Sequence, residues 1–174
     1  MTVVIRSATL LMLTSLLGAC GWHLQGEPGV AARTSPIYLL LEDTHSEFAR
    51  ALQTRLRSAG VELSASAASA KITLQVTAEE VGHHISAVSA LNEPQQYEVY
   101  YSVSYRITGH GSEQHDISLP AVQSSRLSRT MNYEKTAALA MQRQEQMLQQ
   151  RLAEELAEQV LRKLNFVAVD SSPG

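Results

Sequence analysis

The adjacent pair His83-His84 is the first place in this sequence where metal chemistry could be sought. Neighbouring side chains on an extended segment point to opposite faces, so the pair cannot close on one ion as histidines at i,i+4 on a helix or i,i+2 on a strand do. His110 and His115 flank a predicted turn and read as exposed polar residues. Glu79-Glu80 offers two carboxylates, the residue type used for general acid–base work, yet neighbours at a strand end read as a solvated turn. A glycosidase pair needs two carboxyls facing each other across a cleft, a geometry that spacing alone does not express. No G-x-S-x-G and no glycine-rich phosphate loop occurs. A single cysteine in the whole chain can close neither an internal disulfide nor a zinc cluster. The residues therefore predict no catalytic machinery, no metal site and no cofactor.

More is carried by four of the six tyrosines, Tyr97, Tyr100, Tyr101 and Tyr105, which fall inside nine residues. A tyrosine joins an apolar ring to a wet hydroxyl and suits a core margin or a binding surface. Tyr97, Tyr101 and Tyr105 share parity with Val99, Val103 and Ile107 and are assigned to the core. Tyr100 faces the other way and is the candidate partner interface. Basic residues cluster once, as Arg126, Arg129 and Lys135, either a solvated strand end or an anion site.

The lone cysteine has a chemistry of its own. Arg6 gives a short positive region, and Ala8 to Leu17 (ATLLMLTSLL) is an apolar run about half as long as the ~20 residues needed to cross a bilayer. Leu17-Gly18-Ala19-Cys20 follows it and is similar to the bacterial lipobox, in which diacylglycerol is added to the cysteine sulfur before cleavage on its N-terminal side. Residues 1–19 are thus expected to be a lipoprotein signal peptide, and 20–35 a lipidated N-terminus and linker. At roughly 0.8 kcal/mol per buried CH₂, two or three acyl chains make attachment effectively permanent. A covalent lipid on Cys20 tethers the chain to a membrane that it does not span. Gly21 stands where an Asp would resemble an inner-membrane retention signal, so the expected destination is the outer membrane.

These residues need a scaffold, and the remaining pattern supplies one. Ile37 to Leu41 (IYLLL) is a continuous apolar run, as expected of an interior strand covered on both faces. Thr44 with Glu47 has capping-box spacing and predicts a helix start. Phe48, Leu52, Leu56 and Ala59 form its apolar stripe, and Gly60 ends it. Ser64 to Ala70 reads as a loop. Ile72, Leu74, Val76 and Ala78 alternate as one face of a half-buried strand, and residues 97–108 alternate strictly. Gly109 to Ser112 predicts a hairpin turn, with His115 to Arg129 returning antiparallel; Pro120 makes that strand an edge or a bulged one. From Thr136 to Leu164 runs the longest helical signal, with Met141, Leu148, Leu152, Leu156, Val160 and Leu164 on one side. Arg151 with Glu155 and Glu158 with Arg162 have ion-pair spacing on its other side. The predicted fold is α+β: a two-layer sandwich of a four-stranded, mostly antiparallel sheet and two helices, in the order β-α-β-β-β-α. It spans 36–166, with a flexible tail at 167–174.

Composition agrees with one globular domain. The 174 residues are 44% hydrophobic and 18% charged, outside the disordered class. Fourteen basic against seventeen acidic residues give a net charge of −3, which speaks against nucleic acid as a partner.

Several of these segments resemble one known family. Cys20-Gly21-Trp22-His23-Leu24 at the lipidation point, Pro36 to Leu63 ending in LRSAGVEL, Ala138-Leu139-Ala140, and QVLRKL at 159–164 are similar to the lipopolysaccharide-assembly lipoproteins of the LptE family. The resemblance implies a non-catalytic lipoprotein at the periplasmic side of the outer membrane. Its implied partners are the β-barrel LptD, which it plugs and helps assemble, and lipopolysaccharide, whose delivery to the outer leaflet it aids. In the family a basic residue follows the Ala-Leu-Ala, whereas Met141 stands there in this chain. Arg126, Arg129 and Lys135 are then the candidate lipopolysaccharide contacts, since lipid A phosphates favour Arg and Lys. Two other readings use the same anchor: a module whose main task is to bind lipopolysaccharide, and a cell-wall-associated scaffold.

Overall fold

The computed structural model describes residues 35–109 and 122–170. The leader, Cys20, the linker up to residue 34, and the predicted turn with His110, His115 and Pro120 lie outside the described residues. Elements follow the predicted order: β1 (Ile37–Leu40), α1 (Glu47–Ser58), a 3₁₀ turn (Ala67–Ser69), β2 (Ile72–Val88), β3 (Pro94–Gly109), β4 (Gln123–Asn132) and α2 (Ala138–Asp170). The strands form one sheet in the order β1-β2-β3-β4, with β1 parallel to β2 and the other pairs antiparallel.

The β1–α1–β2 crossover is fixed at both ends of the helix. Its N-cap is Ser46 rather than Thr44: the Ala49 N–H donates to Ser46 Oγ at 3.0 Å. Ser46 Oγ also donates to Glu79 Oε1 at 3.0 Å, a tertiary partner that the capping-box spacing of Thr44 could not reveal. Phe48, Leu52 and Leu56 of the predicted stripe are fully buried, joined by Ala49, whereas Ala59 is the C-cap residue and only half-buried. At the other end Gly60 takes φ 73°, the Gly60 N–H bonds to Arg57 O and the Val61 N–H to Leu56 O. That pair of bonds is a Schellman cap, which needs a residue free to adopt the left-handed region.

The run 37–41 departs from its expected place. It is an edge strand whose ladder is formed with Ile72 to Gln75, and Leu40 is 42% exposed. Ile37 alone is fully buried among its four residues, and Leu39 and Leu41 pack half-buried against the core, so one face of the run is covered and not two. Leu63 makes a single parallel bridge to Ile37 before the 3₁₀ turn leads into β2.

β2 is far longer than the run 72–78 suggests, and it changes face midway. Val76 pairs with Tyr105 and Ala78 with Ser104, leaving Thr77 as an extra residue in a bulge. Thr77 Oγ1 donates to Ser104 O at 3.1 Å. One added residue inverts the parity of everything after it. Ile72, Leu74 and Val76 face the helices, whereas Ala78 is exposed on the opposite side and Glu79 replaces it beneath α1. Glu79-Glu80 thus sits within a strand and is no solvated turn. The β2–β3 hairpin closes over Ser89 to Glu93, where Asn92 takes φ 59°.

The core lies between the sheet and both helices. Val99, Tyr101, Val103, Tyr105 and Ile107 of β3 are buried, and from α2 Leu152, Leu156, Val160 and Leu164 are fully buried with Ala153 and Ala157. β4 runs from Gln123 to Asn132, later than the predicted His115 to Arg129, and is an outer strand of the sheet, the edge position expected from Pro120. α2 continues to Asp170, four residues into the segment expected to be a tail. Of the two predicted ion pairs on its surface, Glu158–Arg162 forms at 3.0 Å, but Glu155 pairs across elements with Arg129 instead of Arg151. Toward the hairpin turn the helix layer thins, leaving Val81, Ile85 and Val88 about half exposed and Leu91 84% exposed.

Candidate functional site

The sheet has one face under the helices and one open. The open face carries Glu80, Gly82 and His84 from β2, Glu98, Tyr100, Ser102 and Ser104 from β3, and Ser124, Arg126 and Ser128 from β4. At its centre the Arg126 guanidinium carbon stands 3.8 Å above the Tyr100 ring centroid. The Tyr100 hydroxyl donates to Glu80 Oε1 at 2.9 Å, and that bond to a carboxylate pushes its pKa above the ordinary phenol value. Gly82 lies beneath the same ring: a Cβ there would stand 3.1 Å from Tyr100 Oη and 3.3 Å from Cζ. Glycine lets the ring lie flat against β2, and the flat ring supports the guanidinium. The two residues predicted for separate roles, Tyr100 and Arg126, meet in one stack.

The other two candidate basic residues stand elsewhere. Arg129 pairs in register with Val99 and is on the helix side, where its Nη2 lies 2.9 Å from Glu155 Oε2 and 3.2 Å from Oε1. Lys135 lies past β4 with its Nζ 3.8 Å from Glu93. Arg126 has no carboxylate within ion-pair distance among the described residues, so the structure divides a sequence cluster of three into two paired cations and one stacked one. Met141 packs half-buried against the core, and its Sδ accepts the Glu134 N–H at 3.2 Å.

The two histidines are on opposite faces, as their adjacency requires. His83 Nδ1 is 2.8 Å from Glu145 Oε1 and its ring meets Tyr97 edge-on at 5.0 Å, while His84 lies near Tyr100 at 6.1 Å. Among the described residues no three His, Cys, Asp or Glu side chains come together as a metal site. Beside His83 a groove of about 230 Å³ is lined by Tyr97, Tyr133, Met131, Met141 and Glu145.

One polar junction escaped the sequence reading. Glu79 accepts Tyr101 Oη–H at 2.8 Å and Ser46 Oγ–H at 3.0 Å, and Tyr101 Oη accepts the Phe48 N–H at 3.4 Å. Burial, then the hydrogen bond to Glu79 and its charge, hold the Tyr101 hydroxyl well above the ordinary phenol range. The junction ties the first turn of α1 to β2 and β3. Its only trace in the sequence is an acidic residue beside a strand of small and apolar ones, and the bulge at Thr77 hides which face that acid takes.

The described residues contain no helix long and apolar enough to cross a membrane. Solved structures of similar shape include rare lipoprotein B from Shewanella oneidensis (TM-score 0.66, 19% identity, 77% of this chain and 96% of that one). A lipoprotein B from Nitrosomonas europaea matches with TM-score 0.63 and 18% identity over 74% of this chain and 81% of that one. A minor lipoprotein from Acinetobacter baumannii matches at 0.56 and 16%, covering 74% and 89% respectively. At such identities the likeness is one of fold. The sequence itself matches the family model described as LptE, lipopolysaccharide-assembly, over residues 34–164, which takes in both helices' core stripes and all four strands. The chain belongs to the LptE family of lipopolysaccharide-assembly proteins.

Proposed function

We propose that this protein is a non-catalytic outer-membrane lipoprotein, anchored through lipid on Cys20, that occupies and helps assemble the β-barrel LptD and aids lipopolysaccharide delivery to the outer leaflet. The observation that carries this reading is the family match over residues 34–164, preceded by a lipobox-like sequence ending in the chain's only cysteine. The physics supports it. A permanent anchor fixes the domain at the periplasmic leaflet, and a tether of sixteen residues (20–35) raises its effective concentration at a barrel mouth without any added contact. A two-layer domain of this kind enters a lumen as a rigid body, since its sheet and helices share one core.

Affinity purification of the full-length protein from detergent-solubilised outer membranes tests the proposal. Recovery of LptD at equal stoichiometry is expected, together with a diacylglyceryl mass on Cys20. A preparation holding no barrel, or an unmodified sulfur, overturns it; co-sedimentation with peptidoglycan in place of a barrel would favour a cell-wall scaffold.

A further inference from the structure

The open sheet face offers a more specific assignment, which rests on the lipopolysaccharide reading above. We infer that the Arg126–Tyr100 stack is a binding site for an anionic sugar, one bearing a phosphate or carboxylate group. Arg126 is held 3.8 Å over the Tyr100 ring, and no carboxylate among the described residues occupies its donors. A planar guanidinium held against a ring loses little freedom on meeting an oxyanion. Glu80 sharpens the geometry. Its carboxylate takes the Tyr100 hydroxyl at the rim of the ring while the guanidinium lies over the ring's centre, so an anion is directed to the side of the guanidinium away from Glu80.

The surroundings suit a sugar better than an acyl chain. Ser102 stands directly across from Arg126 and Ser128 directly across from Tyr100 in the β3–β4 register, with Ser104 and Ser124 one step further along. Hydroxyls of this kind both donate and accept, as a sugar ring requires. The row Glu80–Ser102–Arg126 bears no aliphatic side chain to bury against a lipid tail, and the row Ala78–Ser104–Ser124 beside it adds one methyl. The stack is a small platform with the cation over its centre, a carboxylate at its rim and serine hydroxyls around it.

Two measurements test the assignment. In NMR titrations of the protein, glucose 1-phosphate and galacturonate are expected to shift the Arg126 Nε–H and Tyr100 ring signals saturably, and neutral glucose to leave them unmoved. In lipopolysaccharide binding, Arg126→Gln is expected to weaken affinity about tenfold, the loss of roughly one charge-assisted hydrogen bond. Arg126→Lys, which keeps charge but loses the planar fork, should recover only part, and Arg129→Gln should stay within about twofold because that side chain belongs to Glu155. Equal losses from Arg126→Gln and Arg129→Gln would reduce the site to general charge and overturn it. So would unchanged lipopolysaccharide affinity in Arg126→Gln with lost recovery of LptD, which would make this face a barrel contact. If the unaltered protein binds no lipopolysaccharide, the assignment to that ligand is overturned while recovery of LptD still tests the proposed function separately; the glucose 1-phosphate titration then upholds or overturns the sugar site by itself.

Discussion

Tyr101→Phe removes one oxygen atom from the junction of α1, β2 and β3 and leaves the ring in place, 3% exposed. Two bonds go with it. The first is the 2.8 Å bond to Glu79, and hydrogen bonds to charged groups contribute about 1.5–3 kcal/mol. Glu79 is only partly buried and keeps Ser46 as a donor, so a value near 1 kcal/mol is appropriate. The second is the 3.4 Å bond from the Phe48 N–H, which sits in the first helical turn and has no carbonyl within the helix to take it. Leaving it buried and unpaired costs about 1 kcal/mol more. The sum, about 2 kcal/mol, corresponds to a fall of about 8 °C in Tm for a domain of this size. Urea unfolding followed by circular dichroism reads it directly, and a double-mutant cycle with Glu79→Gln should show coupling of about 1 kcal/mol. The junction also has a pH signature. The folded-state hydroxyl titrates above its unfolded value of 10.0, so its contribution is complete below pH 10 and is lost as the pH rises toward the folded value. Tyr101→Phe should therefore flatten the alkaline limb of the stability curve. A variant within 0.5 kcal/mol of the parent, with that limb unchanged, would refute the reasoning.

Three further outcomes follow from the packing. Leu156→Ala empties a fully buried position beneath α2 and should destabilise the domain by about 2–5 kcal/mol in the same urea assay. Deleting Thr77 should be tolerated, because the pairs Val76–Tyr105 and Ala78–Ser104 then become consecutive; deleting Leu74 should abolish cooperative unfolding, because no bulge residue absorbs the shift. Gly82→Ala places a methyl 3.1 Å from Tyr100 Oη, so the ring must move by a few tenths of an ångström. The NMR signals of the Tyr100 ring and the Glu80 carboxylate should change while the core signals stay.

How much of this was legible beforehand differs by element. The stripes Phe48–Leu52–Leu56 and Leu152–Leu156–Val160–Leu164 and the alternation of β3 follow from periodicity, which depends only on local geometry, and each is buried where its period requires except at Tyr97, which is half-buried at the margin of the core. The Schellman cap at Gly60 is also local. Neither the cap at Ser46 nor the inversion at Thr77 is, since the first is decided by a carboxylate 33 residues away and the second by an extra residue whose presence shows only against β3. Arg126 and Arg129 are three residues apart, and strand parity sends them to opposite faces once the register with β3 is known.

The sequence by itself determined the element order, the lipobox-like start and the residues able to hold a core, because composition and period act over a few neighbouring residues. Only the tertiary structure decided that Tyr100 and Arg126 form one stack while Arg129 and Lys135 are engaged by Glu155 and Glu93. Which charge meets which partner is set by pairing between strands and helices distant in the chain, and no pattern along the chain records that pairing.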